Sequence, residues 1–439
     1  MPRWMYFLLI CTLLAPILEL FHVFPLLIFI IAGLGILPLA ALIGTSVEGI
    51  AEHTGEQIGG LLFATFGNAT ELIIGILALS QGLVDVVSAS IIGSVLGNLL
   101  LVLGIAVCVG SLRHGSLNFA TQPAGQYASM LALSIGGLLL PTVAILLAQY
   151  THQPTVTERG VALSDFVAIL LLIGYIASIL YSVFHIGERN ETPQDEVEPL
   201  LGARSQAAIT RLLAYRQHLV NSAVPGKTGM LHTIDHTVNA ILEHETAHSS
   251  TTQASEPPSE PADEAQQTST TIAKAETASA TRASHSKPSL WRNIILLTVA
   301  TAGVAILSEI LVSAIEPVTV LLHWNPAFVG LIFLPLIGGL PEYFNTISMA
   351  LNKRIDMVLA ASAGSSIQIA LLMAPVLVLV SLLTPQRLDL VFSIIELATL
   401  GLATFLFSEI TRDGKLVWLE GLLLMLLYAM MGGTTFLFG

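Results

Sequence analysis

Charged residues are scarce in this chain, and cysteine is almost absent. Of its 439 residues, 11% are charged and 54% are hydrophobic, whereas a soluble domain carries about 25% charged residues. This shortage of charge excludes an ordinary water-soluble globular protein. The two cysteines, Cys11 and Cys108, both lie in apolar stretches, so the sequence predicts neither a disulfide framework nor a thiolate metal site.

Long apolar stretches fill most of the chain. A membrane-spanning helix needs about 20 predominantly apolar residues, and eleven such stretches occur. The alternating pattern of a membrane β-barrel is absent. The sequence therefore predicts an all-α polytopic membrane protein with about 11 transmembrane helices. The predicted spans are 5–21, 24–46, 57–79, 84–110, 126–149, 161–185, 290–314, 327–350, 356–384, 388–410 and 415–438.

The distribution of Lys and Arg predicts the orientation. In this topology 15 of the 17 basic residues lie on one side, and only Arg159 and Arg387 lie on the other. The positive-inside rule places the rich side in the cytoplasm. The N-terminus and the long polar linker are therefore expected in the cytoplasm, and the C-terminus on the opposite side. A cleaved signal peptide is the alternative for the first span, but no small-x-small cleavage pattern follows it.

One polar stretch divides the chain. It predicts a cytoplasmic linker whose second half, rich in Ser, Thr, Pro, Ala and Glu, is expected to be disordered. Its first half fits two short amphipathic helices. The predicted organisation is an N-terminal transmembrane helix at 1–23, a five-helix repeat at 24–185, the linker at 186–289 and a second five-helix repeat at 290–439.

The two predicted repeats share a pattern at an offset of 271 residues. Glu71 aligns with Glu342, and Ser94 aligns with Ser365. From Gly67 to Leu100, nine of 34 positions are identical, and these include polar residues within apolar helices. Because each unit has five helices, the second must enter the membrane from the opposite side. Such inverted repeats are the architecture of secondary transporters.

Glycine and proline interrupt one predicted helix in each repeat. The interrupting residues are Gly59, Gly60 and Gly67 in the third span, and Pro335, Gly338, Gly339 and Pro341 in the eighth. Broken helices at the membrane midplane hold the substrate in inverted-repeat transporters. The alternative is that these small residues serve only close helix packing.

Glu71 and Glu342 follow the interruptions and are the central candidates for the site. A carboxylate at bilayer depth is costly and is by default a functional-site hypothesis. Two such groups repel each other, and burial disfavours their charged forms. The pair is therefore expected to hold either protons or a divalent cation, and this competition is the minimal mechanism of an antiporter. The alternative is structural, with one Glu at a helix N-terminus and the other in an ion pair.

A divalent cation needs more oxygen ligands, about 6–8 for calcium. The predicted ligands besides the two carboxylates are Asn68, Ser94, Ser365, Gln368 and the backbone carbonyls around Gly67 and Gly338. For either serine alone, a bond to its own helix is an equal alternative. Predicted accessory residues of a proton or cation path are Glu48, Glu309, Asn98, Tyr343, Asn345 and Glu396, the last placed in the middle of the tenth span. Asp85 and Asp356 are interpreted as N-caps of the following helices.

Several segments together resemble the calcium/proton exchanger (CAX) family of the cation/calcium exchanger superfamily. They are GLLFATFGNATELI at 60–73, GSSIQIAL at 364–371 and WLEG at 418–421. The resemblance implies eleven helices, with the second to the eleventh forming the inverted repeat. It also implies that Glu71 and Glu342 exchange calcium for protons.

The second repeat departs from the family pattern. Where the family usually reads Gly-Asn-Ala-Ala-Glu-His, this chain reads GGLPEY at 338–343. Gly339 thus replaces an Asn ligand and Tyr343 replaces a His, while Phe63 replaces a usual Asn in the first repeat. Asn345, one turn after Glu342, is a candidate to compensate. These departures leave the cation selectivity and the proton stoichiometry open.

The sequence therefore predicts a secondary cation/proton antiporter that exchanges Ca2+ for H+ by alternating access. A Na+/H+ or Na+/Ca2+ exchanger of the same fold is the first alternative, and a passive cation channel is a distant one. No enzymatic activity and no cofactor are expected, with Ca2+ as transported substrate. Expected partners are Ca2+, H+ and membrane lipid, and the net charge of −13 argues against nucleic acid. A homo-oligomer is left open.

One motif in the linker points elsewhere. The segment HETAH at 244–248 fits the zinc-protease pattern HExxH, but no folded domain is predicted around it, so we interpret it as a chance match. The linker histidines are interpreted as solvated, with a regulatory metal or pH sensor as the alternative. That alternative predicts that deleting 230–250 alters the pH dependence of transport.

Overall fold

Helices make up nearly all of the described part of the chain. The computed structural model describes residues 3–54, 56–152, 159–184 and 290–438. The helices on both sides of the linker pack into one unit. The predicted linker helices and the histidines of 230–250 lie outside the described residues.

The helices before the linker include one that is interrupted near Gly67. They are α1 Arg3–Leu20, α2 Pro25–Thr54, α3 Glu56–Phe66, α4 Ala69–Ser80, α5 Val84–Leu96, α6 Leu103–His114, α7 Thr121–Tyr150 and α8 Gly160–Phe184. A π-helical segment, Gly97–Val102, joins α5 to α6.

The helices after the linker include an interruption at Gly339. They are α9 Leu290–Ser313, α10 Ile315–Leu322, α11 Pro326–Phe328, α12 Leu334–Gly338, α13 Leu340–Leu351, α14 Ile355–Gln368, α15 Ala374–Val380, α16 Ile394–Ile410 and α17 Trp418–Phe438. The π-helical segments here are Val329–Phe333 and Ile369–Met373, and a 3-10 turn spans Ser381–Leu383. Two short strands, β1 Leu117–Asn118 and β2 Lys415–Leu416, pair antiparallel.

Seven helices of the described part are long and apolar enough to cross a membrane. The number is eight if the two helices that meet at Gly339, bent by 58°, are counted as one span. The sequence prediction of about 11 spans includes shorter apolar helices such as α1 and α4. Large apolar side chains, among them Phe7, Leu133 and Leu147, are exposed on the surface, as expected where lipid is the solvent.

The continuous span Val84–His114, which contains α5 and α6, is the most buried of the seven long spans. Within it, α5 crosses the segment Val329–Phe333 in backbone contact. An ideal Cβ atom at Gly93 would lie 2.1 Å from the carbonyl oxygen of Leu331, and one at Gly330 would lie 2.2 Å from that of Val86. Only glycine permits this approach, which is the usual role of small residues between membrane helices. The crossing fixes the two halves of the chain against each other.

The segment 384–393 is not helical, so the predicted span at 388–410 begins too early. Thr142 Oγ1 donates to the carbonyl of Leu390 and accepts from the amide of Phe392, at 2.9 and 3.1 Å. Arg387 also forms an ion pair with Asp165 of α8. These bonds hold the segment extended against α7 and α8, and α16 starts only at Ile394.

Candidate functional site

Each of the two glutamates lies in the first turn of a helix that follows a break. Helix α3 ends at Phe66 and α4 begins at Ala69, while α13 begins at Leu340, directly after the bend at Gly339. The predicted interruptions are therefore confirmed at Gly67 and at Gly338–Gly339, whereas Gly59 and Gly60 lie within the continuous helix α3. Helix N-termini carry partial positive charge, so both carboxylates lie where an anion is favoured.

The breaks of the two halves face each other. An ideal Cβ atom at Gly338 would lie 2.9 Å from Cγ and 3.2 Å from Cδ of Glu71. A side chain at Gly338 would therefore displace the Glu71 carboxyl group. Gly338 was predicted as a site residue for its carbonyl, and the structure places it against the carboxylate of the opposite half.

Hydrogen bonds join Glu342 to the polar side chains of both halves. Ser365 Oγ lies 3.0 Å from Glu342 Oε1 and 2.9 Å from Asn68 Oδ1. Asn98 Nδ2 donates to Ser365 Oγ at 3.0 Å, and Asn68 Nδ2 donates to Gln368 Oε1 at 2.9 Å. Four of the predicted residues and the accessory Asn98 thus form one network.

A cavity of about 190 Å³ opens onto this network. Gly67 and Gly338, at the two breaks, both line it, together with Glu342 and Asn345. Helix α2 forms the facing wall through Gly44 and its neighbours. The carboxylate of Glu342, the amide of Asn345 and the backbone at both breaks therefore border one space, whereas Glu71 is not among the residues that line it.

The remaining predicted residues lie at different distances from this network. Ser94 is buried in α5 but outside the hydrogen-bond network of the described side chains. Glu48 and Glu309 lie on exposed faces of α2 and α9, and neither lines the two cavities that contain Glu342. Tyr343 is buried, and its hydroxyl oxygen would lie 3.8 Å from a Cβ atom at Gly97.

Glu396 does not lie in the middle of a helix as predicted. Because α16 starts at Ile394, Glu396 is in its first turn, where it forms a capping box with Ser393. Glu396 Oε2 accepts from the amide and hydroxyl of Ser393, both at 2.8 Å. These bonds satisfy the helix end and give the carboxylate a structural partner.

The N-cap prediction for two aspartates is also wrong. The N-cap positions of α5 and α14 are Leu83 and Arg354, and Asp85 and Asp356 lie two residues further on. Asp356 Oδ1 instead accepts a 2.8 Å hydrogen bond from the amide of Ala120. A carboxylate in the first turn still has a favourable interaction with the helix dipole.

Sequence reasoning missed two polar residues near Glu342. Thr70 lines the larger cavity, and Ser362 lines a smaller one. Thr70 precedes Glu71, and Ser362 lies three residues before Ser365, a spacing that places both serines on one side of a helix. These spacings were the available signals. Within the described residues no cluster of three or more His, Cys, Asp and Glu forms a metal site.

Comparisons with known proteins agree with this architecture. The family described as sodium/calcium exchanger protein matches residues 24–184 and 292–436. A Ca(2+)/H(+) antiporter of Synechocystis sp. is 34% identical over 92% of this chain and 88% of its own length. Vacuolar cation/proton exchanger 3 of Oryza sativa subsp. japonica is 30% identical over 93% of this chain and 80% of its own length.

Solved structures share the fold. The structure of native YfkE has a TM-score of 0.68 and 26% identity, covering 99% of each chain. The crystal structure of the H+/Ca2+ exchanger CAX has a TM-score of 0.58 at 13% identity, covering 99% of this chain and 91% of that chain, which is a likeness of fold alone. Fold and relatives together define an integral multi-pass membrane protein of the ion-exchanger class. The chain belongs to the sodium/calcium exchanger protein family, and the resemblance to its calcium/proton branch is confirmed.

Proposed function

We propose that this chain is a secondary antiporter that exchanges Ca2+ for H+ at a site formed by Glu71 and Glu342. The observation that carries this proposal is that the two helix breaks face each other, with Glu71 against Gly338 and Glu342 bonded to Ser365. The choice of ions is supported by relatives that bear the name Ca(2+)/H(+) antiporter.

The oxygens around the breaks suit a calcium ion. Calcium takes about 6–8 oxygen ligands in flexible geometry. Two carboxylates supply up to four, and the side-chain oxygens of Asn68, Ser365 and Gln368, with carbonyls near the breaks, supply the rest. The hydrogen bonds that now join these side chains would have to rearrange when the ion binds.

Protons and calcium would compete for the same carboxylate oxygens. Two bound protons or one calcium ion each neutralise the pair, so either loaded form can rearrange. The empty form carries two unpaired buried charges, which are costly in a low-dielectric interior. That cost prevents the protein from switching between its inward-facing and outward-facing forms while the site is empty. The movement of one ion is thereby coupled to that of the other.

An inverted repeat would supply the rearrangement. Helix α4, Ala69–Ser80, recurs 271 residues later as α13, Leu340–Leu351, with the same length and position. The π-helical segments that end at Val102 and Met373 recur at the same offset. This supports five-helix units within 24–185 and 290–439, after a separate helix at 1–23 and around a linker at 186–289.

The large cavity gives access to Glu342. Along α13 it extends from Glu342 to Asn345, and Gly44 and Val47 of α2 also line it. From the distribution of Lys and Arg, we infer that this cavity opens toward the cytoplasm. On the same grounds we infer that the N-terminus and the linker are cytoplasmic and that the C-terminus is on the opposite side.

The proposal is tested by calcium uptake into proteoliposomes under an imposed pH gradient, with and without sodium and with a protonophore. Uptake that requires the proton gradient and is lost with the protonophore is the expected result. Uptake only with sodium would favour the sodium-coupled alternative, in which Gly339 and Tyr343 mark the change of coupling ion. Calcium leak that ignores both gradients would contradict exchange and favour a channel.

A further inference from the structure

A second, smaller cavity also reaches Glu342. It has a volume of about 110 Å³ and is lined by Val102, Glu342, Asn345, Thr346, Met349, Ala361 and Ser362. Glu342 and Asn345 line both cavities, but no residue of α2, α3 or α4 lines the smaller one. The smaller cavity therefore does not reach the helix break of the first half, although Val102 of that half lines it.

The hydroxyl group of Ser362 lies where water in this cavity would give it a hydrogen-bond partner. Its side chain is 2% exposed, and its Oγ atom is buried without a hydrogen-bond partner among the described residues. A buried unpartnered hydroxyl is costly unless water reaches it. The cavity has room for a few water molecules, since one needs on the order of 10–15 Å³ of such volume. Asn345, Glu342 and Thr346 supply the polar partners that such waters need.

We propose that this cavity is a water-filled proton path to Glu342, separate from the larger cavity through which the cation passes, and that Ser362 holds its water in place. The inference rests on the proposed function. The size of the cavity separates the two ions: a proton moves along a few hydrogen-bonded waters, whereas calcium must keep about 6–8 oxygens around it. Both cavities are lined by the carboxylate of Glu342, but only the larger one reaches both helix breaks.

A separate path has a chemical advantage at a shared carboxylate. The proton moves between a water oxygen and a carboxyl oxygen of Glu342, so one O–H bond breaks as another forms. Approach from the side of Ser362 does not require the proton to pass the departing cation. Proton exchange at Glu342 could then proceed while the larger cavity is occupied.

The test uses two exchange modes in proteoliposomes that contain the full chain. Exchange of Ca2+ for H+ needs the proton path, while exchange of labelled for unlabelled Ca2+ at equal pH does not. Ser362→Val replaces the hydroxyl by methyl groups and should dry the cavity. We expect proton-driven calcium uptake to fall by about tenfold or more and the calcium-for-calcium rate to stay within about twofold.

Gly44→Leu is the matched control for the larger cavity. Gly44 lines that cavity, and no atom lies within 4 Å of its ideal Cβ position, so a side chain there projects into the open space. This variant should slow both exchange modes together. Ser362→Ala, which keeps the space and removes only the hydroxyl, should show the effect of Ser362→Val in weaker form and is the second variant if valine prevents insertion.

The outcomes separate this inference from the proposed function. If wild-type protein shows no proton-driven calcium uptake, the proposed function fails, and the proton path fails with it. If the wild type exchanges normally but the Ser362 variants slow neither mode, or slow both equally, the proton path alone is wrong.

Discussion

The hydroxyl oxygen of Ser365 lies 3.0 Å from Oε1 of Glu342. The same oxygen lies 2.9 Å from Oδ1 of Asn68, in the other half of the chain. A hydroxyl has one proton to donate, so Ser365 can donate to Glu342 or to Asn68 at any moment. An ionised Glu342 accepts the hydroxyl proton of Ser365. A protonated Glu342 can instead donate its own proton to Ser365 Oγ, and the hydroxyl proton of Ser365 is then available for Asn68. The hydrogen bond from Ser365 to Asn68 therefore depends on the occupancy of Glu342.

Ser365→Ala is expected to weaken calcium transport. The change leaves Asn68, Asn98 and Glu342 without their shared partner and removes one oxygen ligand. Hydrogen bonds to charged groups contribute about 1.5–3 kcal/mol, so the apparent affinity for calcium should fall by about tenfold or more. The measurement is the calcium dependence of uptake into proteoliposomes. Ser366→Ala is the control, because that hydroxyl bonds to the carbonyl of Ser362 on its own helix; equal losses in both variants would contradict the ligand role.

Glu71→Gln and Glu342→Gln are each expected to abolish exchange while the protein still inserts. Glutamine keeps the shape of the side chain but can neither release a proton nor neutralise a cation. The measurement is proton-driven calcium uptake, with insertion checked by size-exclusion chromatography in detergent. Glu316→Gln, at an exposed position of α10, should behave as the wild type. Near-normal exchange in either site variant would show that the two-carboxylate site is wrong.

The repeat-related glycines Gly93 and Gly364 should respond differently to alanine. A Cβ atom at Gly93 would lie 2.1 Å from a backbone oxygen, whereas no atom lies within 4 Å of that position at Gly364. Gly93→Ala forces a backbone shift, and overpacking of this kind costs about 1–3 kcal/mol or more. We expect a marked loss of thermal stability for Gly93→Ala and none for Gly364→Ala, measured by thermal unfolding in detergent. Equal stability of the two variants would contradict the crossing.

Transport by Gly364→Ala tests alternating access. If the second repeat takes up the packing of the first when the site faces the other way, Gly364 would come into the close contact that Gly93 makes here. The variant should therefore fold normally and transport slowly. Wild-type transport by Gly364→Ala would argue against an exchange of packing between the repeats.

Asp389 should make stability depend on pH. It lies in the segment 384–393, outside the spans, where burial raises the pKa of its carboxyl group above 3.8 and backbone hydrogen bonds, including that of Val391, lower it in part. The folded chain thus binds this proton more tightly than the unfolded chain, so the contribution to stability falls as the pH rises from 3.8 through the folded pKa. Asp389→Asn should remove this slope and raise stability at neutral pH. Thermal unfolding from about pH 4 to about pH 7 is the measurement, and identical slopes in both proteins would contradict it.

The sequence predicted the centre of the site because its signals are local. Glycine and proline next to a carboxylate in an apolar helix mark a break wherever they occur, and both breaks lie where Gly67 and Gly338 indicated. Asn68, Ser365 and Gln368 were found by their polarity in apolar surroundings. Their hydrogen bonds to one another are long-range contacts, which no local pattern specifies.

The errors have a common physical cause. Hydropathy does not distinguish an apolar extended segment from the start of a membrane helix, so Leu388, Leu390 and Phe392 were assigned to a span. The better signal was Ser393 followed three residues later by Glu396, the spacing of a capping box. Recognising it would have placed Glu396 at the helix start.

Asn345 and Ser362, which line the cavities at Glu342, have no polar counterparts in the first repeat. At the offset of 271 residues, Asn345 corresponds to Ile74 and Ser362 corresponds to Ile91, both of which are buried. If the repeats exchange their packing, the path to the other side of the membrane would be lined by isoleucine where this one is lined by an amide and a hydroxyl. Proton entry and exit would then proceed at different rates on the two sides. The transporter would be kinetically polarised, faster to load from one face than from the other, even though the gradients alone decide the direction of net flux.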